Sequence, residues 1–391
     1  MRIFRSLVRE AATRKSAFPH LGASTPGPFS RSSGPKVAVY YDPNRISISQ
    51  AYPFLHYSDA FRRRFGAEVK LRNVAEVIAD PSKILQGADI VLAQTWFRIG
   101  DDALKRLLAS LRPSSMGGVL AFLDSFAPSD IRLAATVNDH IDFYLKKTLL
   151  RDRSLYGRET YGDTVLSNFY GRHYGIDLPN VVWPAPRGFL SKLRLFPNFF
   201  TAPALIHEFE RDLSAPLAGR AIDLHARLAE GDSTGPYSAM RKDAVAKVAA
   251  LTGIKSVTGA TVDRTTFMNE MRNSKLCFSP FGFGEICWRD FEAVAAGAVF
   301  IKQSMDHLES SPDLYVANET YAAIRWDMAD LGDVVARLLA DDAERERLAT
   351  NAFNRIADYV RNERFVDQMA FLFEAPAAAA ASMRAGSRTG A

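Results

Sequence analysis

Apolar residues along the chain gather into short runs separated by amphipathic stretches. Residues 36–41, KVAVYY, read as a first strand, and 52–66, YPFLHYSDAFRRRFG, as a helical segment behind it. ADIVLAQ (88–94) and GGVLAFL (117–123) are further apolar runs of strand length, with the amphipathic DDALKRLLASLR (101–112) between them. HIDFYLKK (140–147) alternates Ile141, Phe143 and Leu145 with polar neighbours, which predicts a strand. Its other face carries Asp142, Tyr144 and Lys146, the make-up of a solvated surface. Strands alternating with helices imply a mostly parallel sheet.

Between about 178 and 217 the pattern breaks at Pro179, Pro184, Pro186, Pro197, Pro203 and Pro216. Beyond it AIDLHARLA, IKSVTG, LCFSP, AVFIK and AAIRW alternate with helical stretches near 238–251, 264–272, 285–296 and 330–340. A long helical stretch, DDAERERLATNAFNRIADYV, closes the pattern. The expected fold is α/β, two Rossmann-like domains facing a cleft. Residues 1–35 read as a disordered basic leader, 36–200 as the N-terminal domain, 201–374 as the C-terminal domain with its closing helix, and 375–391 as a disordered tail.

A chain of 391 residues, 47% hydrophobic and 24% charged, is long enough for two globular domains. It contains no apolar run of about 18 residues, so no membrane-spanning helix is expected. Cys277 and Cys287 lie in apolar context without metal-ligand spacing, which fits a reducing, cytoplasmic setting. The net charge of +5 is concentrated at the ends. Residues 1–36 contribute Arg2, Arg5, Arg9, Arg14, Lys15, Arg31 and Lys36 against Glu10, a sum of +6, and the tail adds Arg384 and Arg388. The body is left at 5 − 6 − 2, about −3, which excludes the broad basic field that nucleic acid requires. The leader lacks the apolar core of a signal peptide. Its second reading is a peripheral contact with an anionic membrane, at the inner face.

In SPFGFGEICWRDFEAVAAGAVFIK (279–302) the predicted helix carries Glu285, Arg289 and Glu292 at i, i+4 and i+7, a stripe about 60° wide. The remaining positions are mostly apolar, so the helix should be buried and the stripe should face partner charges or a cavity. Gly282 and Gly284 stand between a strand and a helix N-terminus, where anions bind in open α/β folds. Arg289 is suited to a phosphate and a carboxylate to a ribose diol, together the make-up of a nucleoside-diphosphate site. The plainer alternative is an i,i+4 pair, Glu285 with Arg289, and Glu292 capping a neighbour.

The run R-D-F-E-A-V-A-A-G-A-V-F-I resembles the donor-site helix of GT-B glycosyltransferases, in particular the exostosin-like pattern R-x-x-E-A-x-x-A-G-x-x-P. Arg289, Glu292, Ala293, Ala296 and Gly297 match, and Phe300 stands at the final proline. E-I-C-W-R is similar to the E-K-L-W-R run of GT-B fucosyltransferases, with Ile286 replacing the lysine. The resemblance implies a transferase moving sugar from a UDP- or GDP-sugar to a glycan, lipid or protein acceptor, as in polysaccharide biosynthesis. It implies Glu292 on the ribose, Arg289 on the pyrophosphate and Glu285 near the sugar or ribose; the fucosyltransferase-like alignment makes Glu285 the ribose ligand. Residues 36–200 would then bind the acceptor and 201–374 the nucleotide sugar.

Such enzymes often place a second cation after the first strand of this half. Arg227 stands there in IDLHARLAEG, with a solvated surface arginine as the alternative; Arg241 on the following helix is a weaker candidate for the same role, expected rather to face solvent. The chain has no D-x-D pair and no His/Cys cluster at zinc spacing, so neither a metal nor another cofactor is expected to be required. An inverting enzyme needs a base from the first domain. Asp42 and Asp124 follow strands, and His140 is a third candidate; each has a structural alternative. A Rossmann-type NAD(P)-dependent oxidoreductase would want a third glycine and an acidic strand end, where this chain has Lys302. A two-lobed sugar-binding protein without catalysis is the remaining alternative.

Overall fold

Val37 to Tyr41 are all buried, because the strand they form, β1 (Lys36–Tyr41), is paired along both edges and covered on both faces. Unbroken apolar strands of this kind belong to parallel sheets packed between helices. The computed structural model describes residues 25–374, apart from 32, 98, 114–116, 214–217, 230–233 and 260–261. The expected leader up to residue 24 and the tail from 375 lie outside the described residues.

After β1 the chain forms α1 (Arg45–His56), α2 (Ser58–Phe65), β2 (Glu68–Asn73), α3 (Val74–Ala79), β3 (Ile90–Gln94), α4 (Asp101–Leu111), β4 (Val119–Leu123), α5 (Ala134–Val137) and β5 (Phe143–Lys146). An excursion follows, comprising β6 (Leu149–Leu150), β7 (Glu159–Tyr161), α6 (Val165–His173) and β8 (Asn180–Val182), before β9 (Leu193–Leu195). The first sheet has the order β2-β1-β3-β4-β5-β9, with every neighbour parallel. Residues 25–31, expected in the disordered leader, instead lie along its edge strand β2. Thr25 N donates to Leu71 O at 2.8 Å and Ser30 N to Glu68 Oε2 at 2.8 Å, covering backbone that would otherwise be unpaired.

The second half runs α7 (Pro203–Phe209), β10 (Ile222–His225), α8 (Pro236–Ala249), β11 (Ser256–Val257), α9 (Arg264–Arg272), β12 (Ser274–Phe278), α10 (Trp288–Ala295), β13 (Val299–Gln303), β14 (Leu308–Glu309), β15 (Ala322–Ile324), α11 (Leu331–Ala340), α12 (Asp342–Arg361) and α13 (Arg364–Gln368). Its sheet is again parallel, in the order β11-β10-β12-β13-β15. The molecule is thus α/β with two Rossmann-like sheets, the class that the alternation of runs predicts. Among the described residues no helix is long and apolar enough to cross a membrane.

Two tertiary features fix how the halves face each other. β6 pairs antiparallel with β14, and the loop after β4 meets the loop after β12 through Ser129 and Glu285. Both loops leave carboxyl ends of strands, so the carboxyl edges of the two sheets confront one another. The excursion leans on the second half: Tyr170 OH donates to Trp326 O at 2.8 Å and Tyr174 OH to Asp243 Oδ2 at 2.9 Å. The chain then returns. After Glu363, in a left-handed conformation at φ 51°, α13 inserts Phe365 among Phe54, Phe61 and Phe196 of the first half.

Local chemistry displaces two expected elements. The helix expected over 285–296 begins only at Trp288, because Asp290 at its third position reaches back and accepts from Cys287 N at 3.1 Å. Glu285 is therefore in the preceding loop, off the helical stripe. Tyr144 and Lys146 do not form a solvated face; β5 lies between β4 and β9, and both side chains are fully buried on Asp124.

Candidate functional site

Strand order alone marks a crevice in the second sheet. β11 lies on one side of β10 and β12 on the other, so the right-handed connections around β10 diverge onto opposite faces. Ligands of open α/β sheets bind outside the carboxyl ends at such a reversal. Here α8 comes from one face and α10 from the other, carrying Arg241 and Arg289 respectively.

The two guanidinium groups are close enough to disfavour one another. Arg289 Nη2 donates to Arg227 O at 2.8 Å, anchoring α10 to the end of β10, while its buried Nε has no hydrogen-bond partner. Arg241, expected to face solvent, instead turns inward, and its Nη1 is shut off from water without a partner. Burial, with a further push from Arg289, lowers the Arg241 pKa to about 10, against an opposing effect of Cys287. Arg241 and Arg289 are half-buried, and each keeps one guanidinium nitrogen shut off from water without a hydrogen-bond partner, a local excess of positive charge suited to an anion.

Arg227 is differently engaged. Its Nε and Nη2 form a bidentate pair with the Glu270 carboxylate at 2.5 and 2.6 Å, which raises its pKa. Its side-chain charge is thus already compensated, and it serves the crevice through its backbone carbonyl. Lys147, beyond the end of β5, is a buried cation of the first half that the sequence did not single out. Its Nζ has no hydrogen-bond partner and lies 4.0 Å from the centre of the Phe199 ring, which itself stacks on Trp288. Burial above all lowers the Lys147 pKa to about 7; Asp124 opposes the fall and Lys146 adds to it.

Two carboxylates complete the second half's contribution. Glu285 is fully buried and accepts from Ser129 Oγ at 2.8 Å, with His307 Nε2 3.9 Å from the same oxygen. Burial pushes its carboxyl up, but His307 and Ser129 outweigh that, so its pKa lies below the ordinary carboxylate value. Its Oε2 has no hydrogen-bond partner, and neither has His307 Nε2. Glu292, three residues along α10 from Arg289, accepts from Arg264 Nη1 at 3.0 Å across to α9. Glu285 and Arg289 are therefore not an i,i+4 pair; each turns to a partner far along the chain. Ser129, His307 and Lys147 were missed, although the first two lie in the connections after GGVLAFL and AVFIK and the third ends the predicted strand HIDFYLKK.

The remaining sequence candidates separate. Gly284 fits close approach: a Cβ there would sit 2.6 Å from Ala127 O, so the glycine lets the two halves' loops touch. Gly282 N donates to Gly284 O at 3.0 Å, closing the turn that presents Glu285. Asp124 is 1% exposed and its carboxylate accepts from Tyr144 OH, Lys146 Nζ and Phe126 N, at 2.7, 2.7 and 2.8 Å. Those bonds occupy both oxygens, the pattern of a structural anion. His140 precedes β5 and so stands at the amino edge, away from the confronting carboxyl edges. Asp42 follows β1 at the carboxyl edge, beside the reversal between β2 and β3, and accepts from Asn44 Nδ2 at 2.7 Å.

Neither a protein-family model nor a curated protein sequence matches the chain. Among solved structures it is similar to an alpha-glucosyltransferase in complex with UDP, at 11% identity over 86% of this chain and 99% of that one, TM-score 0.47. It is also similar to TarM, at 11% identity over 78% of this chain and 59% of that one, TM-score 0.43. A third similar structure is the GtfA/B complex, at 10% identity over 78% and 61% of the two chains, TM-score 0.43.

Proposed function

We propose that this protein is a glycosyltransferase of the exostosin-like kind, transferring sugar from a UDP- or GDP-sugar to a glycan, lipid or protein acceptor. The observation that carries the reading is the half-buried Arg241 and Arg289 pair at the reversal of strand order, each with a guanidinium nitrogen shut off from water and unpartnered, a concentration of positive charge that a diphosphate would complete. In this reading residues 201–374 bind the donor and 36–200 the acceptor.

Arg289 and Arg241 bind the two phosphates and offset the charge that develops on the leaving nucleoside diphosphate, the term that dominates such chemistry. With two arginines in that role, no metal or other cofactor is required. Glu292, steadied by Arg264, accepts from the ribose diol. Glu285, ionised and with Oε2 unpartnered, accepts from hydroxyls of the transferred sugar, while Ser129 of the first half orients it. That contact makes approach of the halves a condition for a complete site and excludes water from the transfer. Of the three candidate bases, Asp42 alone combines the carboxyl-edge position with a carboxylate not saturated by buried donors, and it takes the acceptor proton. Arg227 acts as a positioning residue, through its carbonyl on Arg289. In this reading the enzyme works in the cytoplasm, and contact of its basic leader with the anionic inner face of the membrane is a secondary reading.

The test is release of nucleoside diphosphate from a panel of UDP- and GDP-sugars, without added metal, by the full chain and by Glu285→Gln. Release from one donor, lost in the variant while the nucleotide still binds, is the expected result. No release from any donor, together with saturable binding of a nicotinamide dinucleotide, would overturn the reading.

A further inference from the structure

Where α1 of the first half meets α7, His56, His207 and Glu210 converge at the surface, outside the cleft. We propose that these three side chains form a divalent transition-metal site, suited to zinc, that ties the two halves together at this seam. Their ligand atoms all lie within 4.8 Å of one another. Glu210 Oε1 is 3.3 Å from His56 Nε2, and Oε2 is 2.8 Å from His207 Nδ1. Ligands around a tetrahedral zinc stand about 3.3 Å apart for bonds of roughly 2.0–2.1 Å. The spacing present is close to that arrangement, and rotation of the exposed His207 and Glu210 side chains brings it to bonding distance.

Two surrounding features suit a metal better than a simple ion pair. Tyr52 OH lies 3.3 Å from His207 Nε2, so with Nδ1 on the metal the other ring nitrogen donates to an oxygen, as metal-bound histidines usually do. A cavity of about 480 Å³ lined by His56, Asp59, Arg63, Glu210, Arg361 and Glu363 gives the site an entry path and room for a water as fourth ligand. Its arginines are neutralised: Arg63 pairs with Glu363 at 2.6 Å and Arg361 with Asp212 at 3.1 Å. Because His56 and His207 are remote in the chain, no ligand spacing announces the site in the sequence.

The experiment uses untagged full-length protein freed of metal by a chelator, titrated with zinc by calorimetry and with cobalt by visible absorption. His56→Ala, His207→Ala and Glu210→Gln are compared after circular dichroism shows native folds; Glu210→Gln, at an exposed position, guards against loss of folding. The expected result is one zinc per chain, tetrahedral cobalt bands, a higher Tm with metal, and affinity reduced at least about tenfold in every variant. No saturable binding, or equal binding by wild type and Glu210→Gln, would overturn the proposal. The outcome is independent of sugar transfer, because none of these residues lies in the cleft.

Discussion

Replacing Arg241 by methionine should make the ligand-free protein more stable while removing its affinity for a nucleoside diphosphate. An arginine in a protein keeps its proton, so the fall of its pKa from 12.5 to about 10 is felt as destabilisation of the folded state. A fall of 12.5 − 10 = 2.5, at 1.36 kcal/mol per pKa unit, is about 3 kcal/mol. The side chain is only partly buried as a whole, so screening reduces the expected gain to about 1–2 kcal/mol. Methionine retains the apolar stem and removes the charge. Urea melts of both proteins, with and without saturating UDP or GDP, measure the effect. The variant should be the more stable without nucleotide, and the wild type should overtake it when nucleotide is present, by mass action. A variant that is less stable alone, yet equally stabilised by nucleotide, would refute the argument that this cation is held for an anion.

Gly284→Ala should cost about 1–3 kcal/mol in a urea melt, because the new Cβ meets Ala127 backbone rather than a movable side-chain tip. Asp124→Ala should cost about 3–5 kcal/mol by leaving the Lys146 cation buried and unpaired; a catalytic base there would instead cost activity at unchanged stability. The His225 pKa is pushed down to about 4 by burial and then by Arg289, from 6.5 in the unfolded chain. Between those values the unfolded chain holds the extra proton, so stability should fall by up to about 3 kcal/mol as pH drops from 6.5 to 4. His225→Leu should flatten that part of a stability profile measured by urea melts.

The fold was legible because its strands are the apolar runs themselves: KVAVYY, GGVLAFL and AVFIK each became a buried parallel strand. That Arg289 and Glu292 are polar positions on an otherwise apolar helix was legible for a related reason, since such charges stand out against their background. The start of that helix was not legible, because it depends on one side-chain bond from Asp290 to Cys287 N, and the 3.6-residue period does not report a cap. Arg241 was misread for a different reason. Its stretch of α8 has no clear apolar face, so periodicity could not say that the guanidinium turns inward. Ser129 and His307 depend on which loop of one half meets which loop of the other, information that lies in tertiary packing. Tyr144 and Lys146 alternate as a solvated strand face would, yet Asp124 draws both into the core.

The most direct measurement is a calorimetric titration of the full chain with UDP, GDP, CMP and NAD(P), without added metal, beside Arg289→Ala and Glu292→Ala. The account predicts one-to-one binding of UDP or GDP, lost in Arg289→Ala and weakened in Glu292→Ala while both variants keep a native circular-dichroism spectrum. Preferential binding of NAD(P), or nucleotide affinity unchanged in Arg289→Ala, would contradict it.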